Sequence, residues 1–206
     1  MSDAVAWLRP FAGLLKDLSV SYDSYHQIEQ LEGYVSNARA AAAALEIPLG
    51  TITISEPADT SADMALGKLP DGKSAVMFRG RAAQKLVRKA VLHPWQQFDI
   101  CPYENLLDPG RVHVDPFGHL HLCQGISLGN IYETPLNEIC EQFDPTNHPI
   151  SGPLLASGPA GLARRYAVDV DDQYADACHL CDSTRRTLRT RFPNILTPDQ
   201  MYGVPN

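Results

Sequence analysis

An α/β fold that passes into a small α+β module, a β-hairpin plus a helix, is predicted by this 206-residue sequence. Three observations predict it. Short β-branched runs alternate with helical stretches over residues 1–92, the pattern of parallel β/α repeats. Two alternating apolar runs flank Asp115-Pro116-Phe117-Gly118, which reads as a hairpin with a Pro/Gly turn. A Cys-x-x-Cys pair, Cys178 and Cys181, precedes a basic helical stretch. The character of the chain changes around His93-Pro94, so the expected domains are 1–92 and 93–206.

Residues 3–16 put Val5, Leu8, Leu14 and Leu15 at roughly helical spacing, against the weakening effect of Pro10 and Gly13. Residues 17–23 alternate apolar and polar, a short strand with a polar end. A strong helix spans 28–45, with Ile28, Leu31, Val35, Ala38 and Ala42 on one stripe, and Ile47-Pro48 closes it. Gly50 to Ser55 is β-branched and strand-like. Residues 57–73 read mostly as loop or weak helix, Ala75 to Phe78 as a third short strand, and 79–92 as a helix-like stretch. Three such units are too few to close an eight-stranded barrel. After the hairpin, 125–131 is a loop or short strand. Residues 134–143 suit a short helix with Thr134 as N-cap and Pro135 at its first position. A polar, Gly/Pro-rich stretch at 144–162 and a tail from Phe192 that reads as irregular complete the chain.

Acidic residues outnumber basic ones 24 to 17, for a net charge of −7. A general phosphate-backbone binder needs clustered Lys and Arg, so no nucleic-acid partner is expected. The 44% apolar content is ordinary for a globular protein, which speaks against wholesale disorder. No run approaches the roughly 18–20 apolar residues that cross a bilayer. Met1-Ser2-Asp3 lacks the basic start and small-residue cleavage site of a signal peptide. The expectation is a soluble, cytoplasmic chain with no membrane partner. Five cysteines in a reducing compartment do not read as a disulfide framework, and the odd count leaves one over.

Chemistry concentrates in Cys101, Cys123, Cys178 and Cys181. Soft thiolates select zinc or iron–sulfur clusters over hard cations, and a Cys-x-x-Cys pair turns two sulfurs toward one centre. If the Arg-rich segment is a helix beginning near Cys181, its free N–H groups and nearby arginines favour negative thiolate–metal charge. Structural zinc and plain buried or surface thiols remain open on the same spacing. Disulfide exchange by Cys178 and Cys181 is disfavoured, because no strand precedes the pair as in thioredoxin-type motifs. Cys140, beside Leu136 and Ile139 on an apolar helix face, is expected in the core.

Gly118-His-Leu-His-Leu-Cys123 is a G-x4-C element with Cys101 seventeen positions before the glycine, and the Cys178–Cys181 pair follows later. This region resembles the auxiliary-cluster region of radical S-adenosylmethionine (SAM) enzymes, of the SPASM or shorter twitch kind. The resemblance implies one auxiliary [4Fe–4S] cluster on Cys101, Cys123, Cys178 and Cys181, because the further cysteines of the two-cluster form are missing after Cys181. The Cys101-to-Gly118 spacing is slightly long for the pattern, which makes Cys101 the least secure ligand. It also implies that 1–92 is part of a radical SAM-like (β/α) barrel, with the runs at Leu18, Gly50 and Ala75 as its fourth, fifth and sixth strands. On that reading Ser21, Asp23, Ser55, Arg79 and Arg81 face SAM, although strand-end polar residues serve equally as caps and turns. The Cys-x3-Cys-x2-Cys motif that opens such enzymes is absent from the sequence. The chain would then correspond to the C-terminal half to two-thirds of such an enzyme: a fragment, a split-gene product or a degenerate relative, inactive alone. SAM would bind only where a partner or upstream segment supplied the missing barrel half. The cluster would serve electron transfer or the positioning of a peptide or small-molecule substrate.

Among the remaining polar residues, His113, His119 and His121 are expected to point outward while Val112, Val114, Leu120 and Leu122 take the buried face. His179 is expected at the solvent. The arginines at 185, 186, 189 and 191 form either a solvated helix face or a counter-charge for an anionic cluster or peptide. Asp169, Asp171, Asp172 and Asp176 read as a solvated acidic loop rather than a calcium site. Besides the iron–sulfur reading, a non-enzymatic zinc-stabilised α/β interaction module and a metal-free scaffold remain open.

Overall fold

A computed structural model of the chain describes residues 2–26, 30–58 and 72–204. Helices and small sheets mix, no closed barrel forms among the described residues, and the contacts separate two compact units, Met1–Val76 and Met77–Asn206.

In the first unit, α1 (Ser2–Leu8) gives way to a 3-10 turn at Arg9–Phe11. The helix expected to reach residue 16 therefore stops early, where Pro10 removes a donor and clashes with the preceding turn. Strand β1 (Leu18–Ser21), helix α2 (Leu31–Ala44) and strand β2 (Leu49–Ile54) follow the predicted order. The expected start of α2 at Ile28 lies outside the described residues, as does most of the stretch expected to be loop at 57–73. Strand β3 is Gly72–Ser74. All pairings are parallel in the order β1-β2-β3, with Leu18 opposite Leu49 and Ile54 opposite Ser74. Val35, Ala41, Ala42 and Ile47 are buried beside this sheet. The third strand thus precedes the apolar run Ala75–Phe78, which carries no ladder. Val76 and Phe78 are buried all the same, and the Phe78 amide bonds the Asp176 carboxylate rather than a strand.

The second unit begins with a short helix α3 (Arg81–Lys85), a 3-10 turn at Val87–Lys89 and the two-residue strand β4 (His93–Pro94). An antiparallel sheet follows, made of β5 (His113–Val114), β6 (His119–Cys123) and β7 (Ile126–Asn130) in that order. Gly118, at φ +86°, turns the first hairpin, and Gly125, at φ +82°, turns the second. Helices α4 (Leu136–Gln142) and α5 (Ser151–Tyr166) come next, then β8 (Gln173–Tyr174), which pairs with β4, and α6 (Ala177–Leu188). The tail closes with a 3-10 turn at Asp199–Tyr202.

Three expectations fail here. Residues 144–162 contain most of α5, a helix kinked at Ser157-Gly158. Cys140 is exposed, and Ile139 takes the buried position of α4 instead. In the sheet, Val114 is 51% exposed while His121 is fully buried between Leu120 and Leu122. The central strand β6 is covered on both faces, so alternation cannot expel the imidazole. Its Nε2 lies 2.9 Å from Asp115 Oδ2. Burial holds His121 below its ordinary pKa, so a neutral ring donates to the Asp115 carboxylate. Burial of that carboxyl is outweighed by hydrogen bonds from His121 and from the His119 and Phe117 amides, which keep it ionised.

The main core joins Leu106, Leu122, Ile126, Ile150, Leu154, Leu162, Leu188 and Leu196 with Tyr202. Cys101, Cys123 and Cys181 pack against it. A smaller cluster of Ala160, Tyr174 and Leu180 receives Trp95 and Phe98.

His148 caps the entry to α5: its Nδ1 accepts from the Ile150 amide at 3.3 Å and the Ser151 amide at 3.1 Å. Burial lowers its pKa from 6.5. A lowered histidine gives stability that is complete above the unfolded pKa and is lost as pH falls through the folded one. Chemical denaturation should therefore show stability declining as pH drops below about 6.5. His148→Ala should cost about 1–2 kcal/mol at pH 7.5 and flatten that decline. An unchanged slope would remove His148 from this role.

Candidate metal centre

Four of the five cysteines line one cavity. Cys101, Cys123, Cys178 and Cys181 line it together with Arg79, Tyr103, Leu106, Ile126 and Arg185. Each thiol arrives on a different support or a different turn. Cys123 ends β6 and pairs with Ile126 across the tight turn at Gln124-Gly125. Cys178 and Cys181 stand one helical turn apart near the start of α6. That helix begins at Ala177, earlier than expected, because Asp176 caps it: Oδ1 accepts from the His179 amide at 2.6 Å. Both cysteines therefore lie beside the positive end of the helix dipole.

Cys101 comes from the irregular segment after a 3-10 turn at Trp95–Gln97, and α5 packs against that segment. Gly158 sits at φ +57°, and a Cβ there would meet Asp99 C and Ile100 N at 2.3 Å each. Only a glycine lets the backbone before Cys101 come this close. The Ala160 amide donates to Phe98 O at 2.9 Å and completes the contact.

Charge in the cavity is lopsided. Arg185 is 2% exposed, donating through Nη1 to Gln124 O at 2.7 Å and through Nε to Cys181 O at 3.3 Å. Burial works against its charge, but Tyr202, Cys181, Cys123 and Asp182 outweigh that and push its pKa up. Among the described residues, no carboxylate forms an ion pair with it. Arg79 Nη1 donates to Cys123 Sγ at 3.3 Å. Burial raises the thiol pKa of Cys101 and raises that of Cys178 strongly, while Cys181 is pushed up to about 12. Without a metal these three are neutral thiols at pH 7. A bound cationic metal core inverts this, deprotonating thiols outright.

Among the described residues, no three His, Cys, Asp or Glu side chains stand close enough together to hold a single metal ion. Four soft sulfurs are a donor type that zinc and iron–sulfur clusters share.

Of the residues assigned to SAM by resemblance, Ser21, Asp23 and Ser55 lie in the first unit and Arg79 and Arg81 in the second. Ser21 is exposed at the end of β1. Asp23 is committed to its own turn, accepting from the Tyr25 amide at 3.0 Å, from the Ile54 amide at 3.3 Å and bonding His26 Nδ1 at 2.8 Å. Ser55 is buried, with an unpartnered Oγ. Arg81 is exposed at the start of α3.

Several residues that shape the cavity escaped the sequence reading. Asp176 is no solvated loop residue: besides capping α6 it accepts from the Phe78 amide at 3.1 Å and from Tyr103 Oη at 3.3 Å. His179 is half-buried, its Nδ1 accepting from the Ala175 amide. Asp182 and Gly158 had no distinguishing signal, although an Asp two residues before Cys-x-x-Cys is a usable N-cap signature. No family model, curated protein or solved structure matches the chain.

Gly158→Ala should destabilise the protein by about 1–3 kcal/mol from its backbone conformation alone. It should also impair whatever Cys101 binds, because the segment before it must retreat. Gly110→Ala, with open space around the added carbon, is the control and should be close to neutral. Equal melting temperatures for the two variants would contradict this role for Gly158.

Proposed function

We propose that the chain is an iron–sulfur protein in which Cys101, Cys123, Cys178 and Cys181 hold one [4Fe–4S] cluster, related to the auxiliary domain of radical SAM enzymes. One observation carries the reading: four thiols line a single cavity beside a fully buried arginine that, among the described residues, forms no ion pair with a carboxylate. In its oxidised form a four-thiolate [4Fe–4S] unit is a dianion, which would complement the Arg185 guanidinium. When bound, such a cluster supplies one-electron transfer. The protein's contribution is to hold the sulfurs, exclude water with Leu106, Ile126 and Leu154, and balance charge with the Arg185 guanidinium.

The finer parts rest on the resemblance. The parallel order β1-β2-β3 with α2 between its first two strands is what a segment of a β/α barrel would have. A partner or upstream segment would supply the remainder, and with it SAM and a peptide or small-molecule substrate. Ser21 suits a SAM contact better than Asp23, whose carboxylate is already used. Free thiols fit a cytoplasmic location. Among the described residues, no helix is long and apolar enough to cross a membrane.

Anaerobic preparation should give brown protein with about four irons and four sulfides per chain. Cys178→Ala should lose most of both, while Cys140→Ala, altering an exposed thiol outside the cavity, should keep them. Colourless wild-type protein with one zinc per chain would replace this reading with a zinc-stabilised interaction module. Protein holding neither metal, and unaffected by chelators, would leave a plain scaffold.

A further inference from the structure

We propose that Arg79 sets the reduction potential of the centre, through a guanidinium held on the Cys123 sulfur by two carboxylates of α6. The inference rests on the iron–sulfur reading above and goes beyond it by separating the residue that tunes the centre from those that bind it.

The two arginines of the cavity are built differently. Arg185 spends its donors on backbone carbonyls, at Gln124 and Cys181, and so fastens the Cys123 turn to α6. Arg79 donates to sulfur itself. Its position does not depend on that bond, because the backbone on either side of it is clamped. The Phe78 amide donates to Asp176 Oδ2 at 3.1 Å, and the Gly80 amide donates to Asp182 Oδ1 at 3.2 Å. Asp176, the N-cap of α6, and Asp182, within it, hold the peptide groups before and after Arg79. Asp182 is itself fixed by Arg186 Nε at 2.7 Å, and Asp176 by its cap bond to His179. A loop that needed only to pass α6 would not require both of its flanking amides to be paired with buried carboxylates.

A hydrogen bond and a positive charge on a ligating thiolate withdraw electron density from it. They favour the state carrying one more negative charge. The step concerned is the uptake of one electron by the oxidised cluster from an external low-potential donor, dithionite in the test. No bond forms or breaks and no proton moves. Arg79 is a positioning residue whose charge acts through Cys123, and Asp176 and Asp182 position it in turn.

The test is an anaerobic redox titration of reconstituted wild type, Arg79→Gln, Arg79→Lys and Asp182→Asn, followed by electron paramagnetic resonance, with iron and sulfide measured on the same samples. In Arg79→Gln the cluster content should match wild type. Its ratio of reduced to oxidised centre at a fixed potential should fall about tenfold, equivalent to about 59 mV. Arg79→Lys should fall less, and Asp182→Asn should shift the same way although both cavity arginines remain. An unshifted midpoint in fully loaded Arg79→Gln overturns the proposal. Loss of iron from that variant also overturns it, because Arg79 would then be needed for binding. Wild type that takes up no iron and sulfide refutes the underlying reading instead, so the two failures are distinguishable.

Discussion

Arg185 reaches from α6 to the carbonyl of Gln124, and with that one bond the hairpin carrying Cys123 is fastened to the helix carrying Cys178 and Cys181. A guanidinium buried to this degree is costly unless something in the same space is negative. The ring of Tyr202, 5.7 Å away, two backbone carbonyls and the charge of Asp182 ease that cost. Tyr202 Oη holds Gly125 O at 2.6 Å, and Arg186 holds the Tyr202 carbonyl, so the C-terminal turn closes over the same hairpin turn.

The chain from sequence to site runs through small residues as much as through ligands. Gly158 permits the approach that places Cys101, Gly125 gives the tight turn after Cys123, and Asp176 starts α6 just ahead of Cys178. None of the three touches a metal in the proposed assignment. Each fixes where a sulfur sits, and together they make a cavity from segments some eighty residues apart.

What was legible in the sequence had short-range causes. The parallel strands at Leu18 and Leu49, the helix between them, the hairpin about Asp-Pro-Phe-Gly and the basic helical stretch after the Cys-x-x-Cys pair follow from β-branching, periodicity and turn chemistry; that the helix starts before the pair, at Ala177, does not. Helix α5 was hidden because Gly152, Pro153, Gly158, Pro159 and Gly161 look like punctuation. In the structure, a Cβ on Gly152 would meet Thr146 O at 2.3 Å, so that glycine answers a tertiary contact invisible to local propensity. His121 was misplaced for a similar reason: the carboxylate that lets it be buried, Asp115, sits across a turn rather than at strand spacing. Cys140 had the right periodicity for a core position, but α4 buries only Ile139. Arg79 was read as the end of a barrel strand, and no local pattern links it to a sulfur 44 residues on.

The central claim is that four sulfurs share one polynuclear centre. Iron K-edge X-ray absorption on anaerobically prepared wild-type protein addresses it most directly. An all-sulfur first shell with a short iron–iron vector is the expected result. Iron bound mainly through nitrogen or oxygen, with no iron–iron vector, would contradict the account.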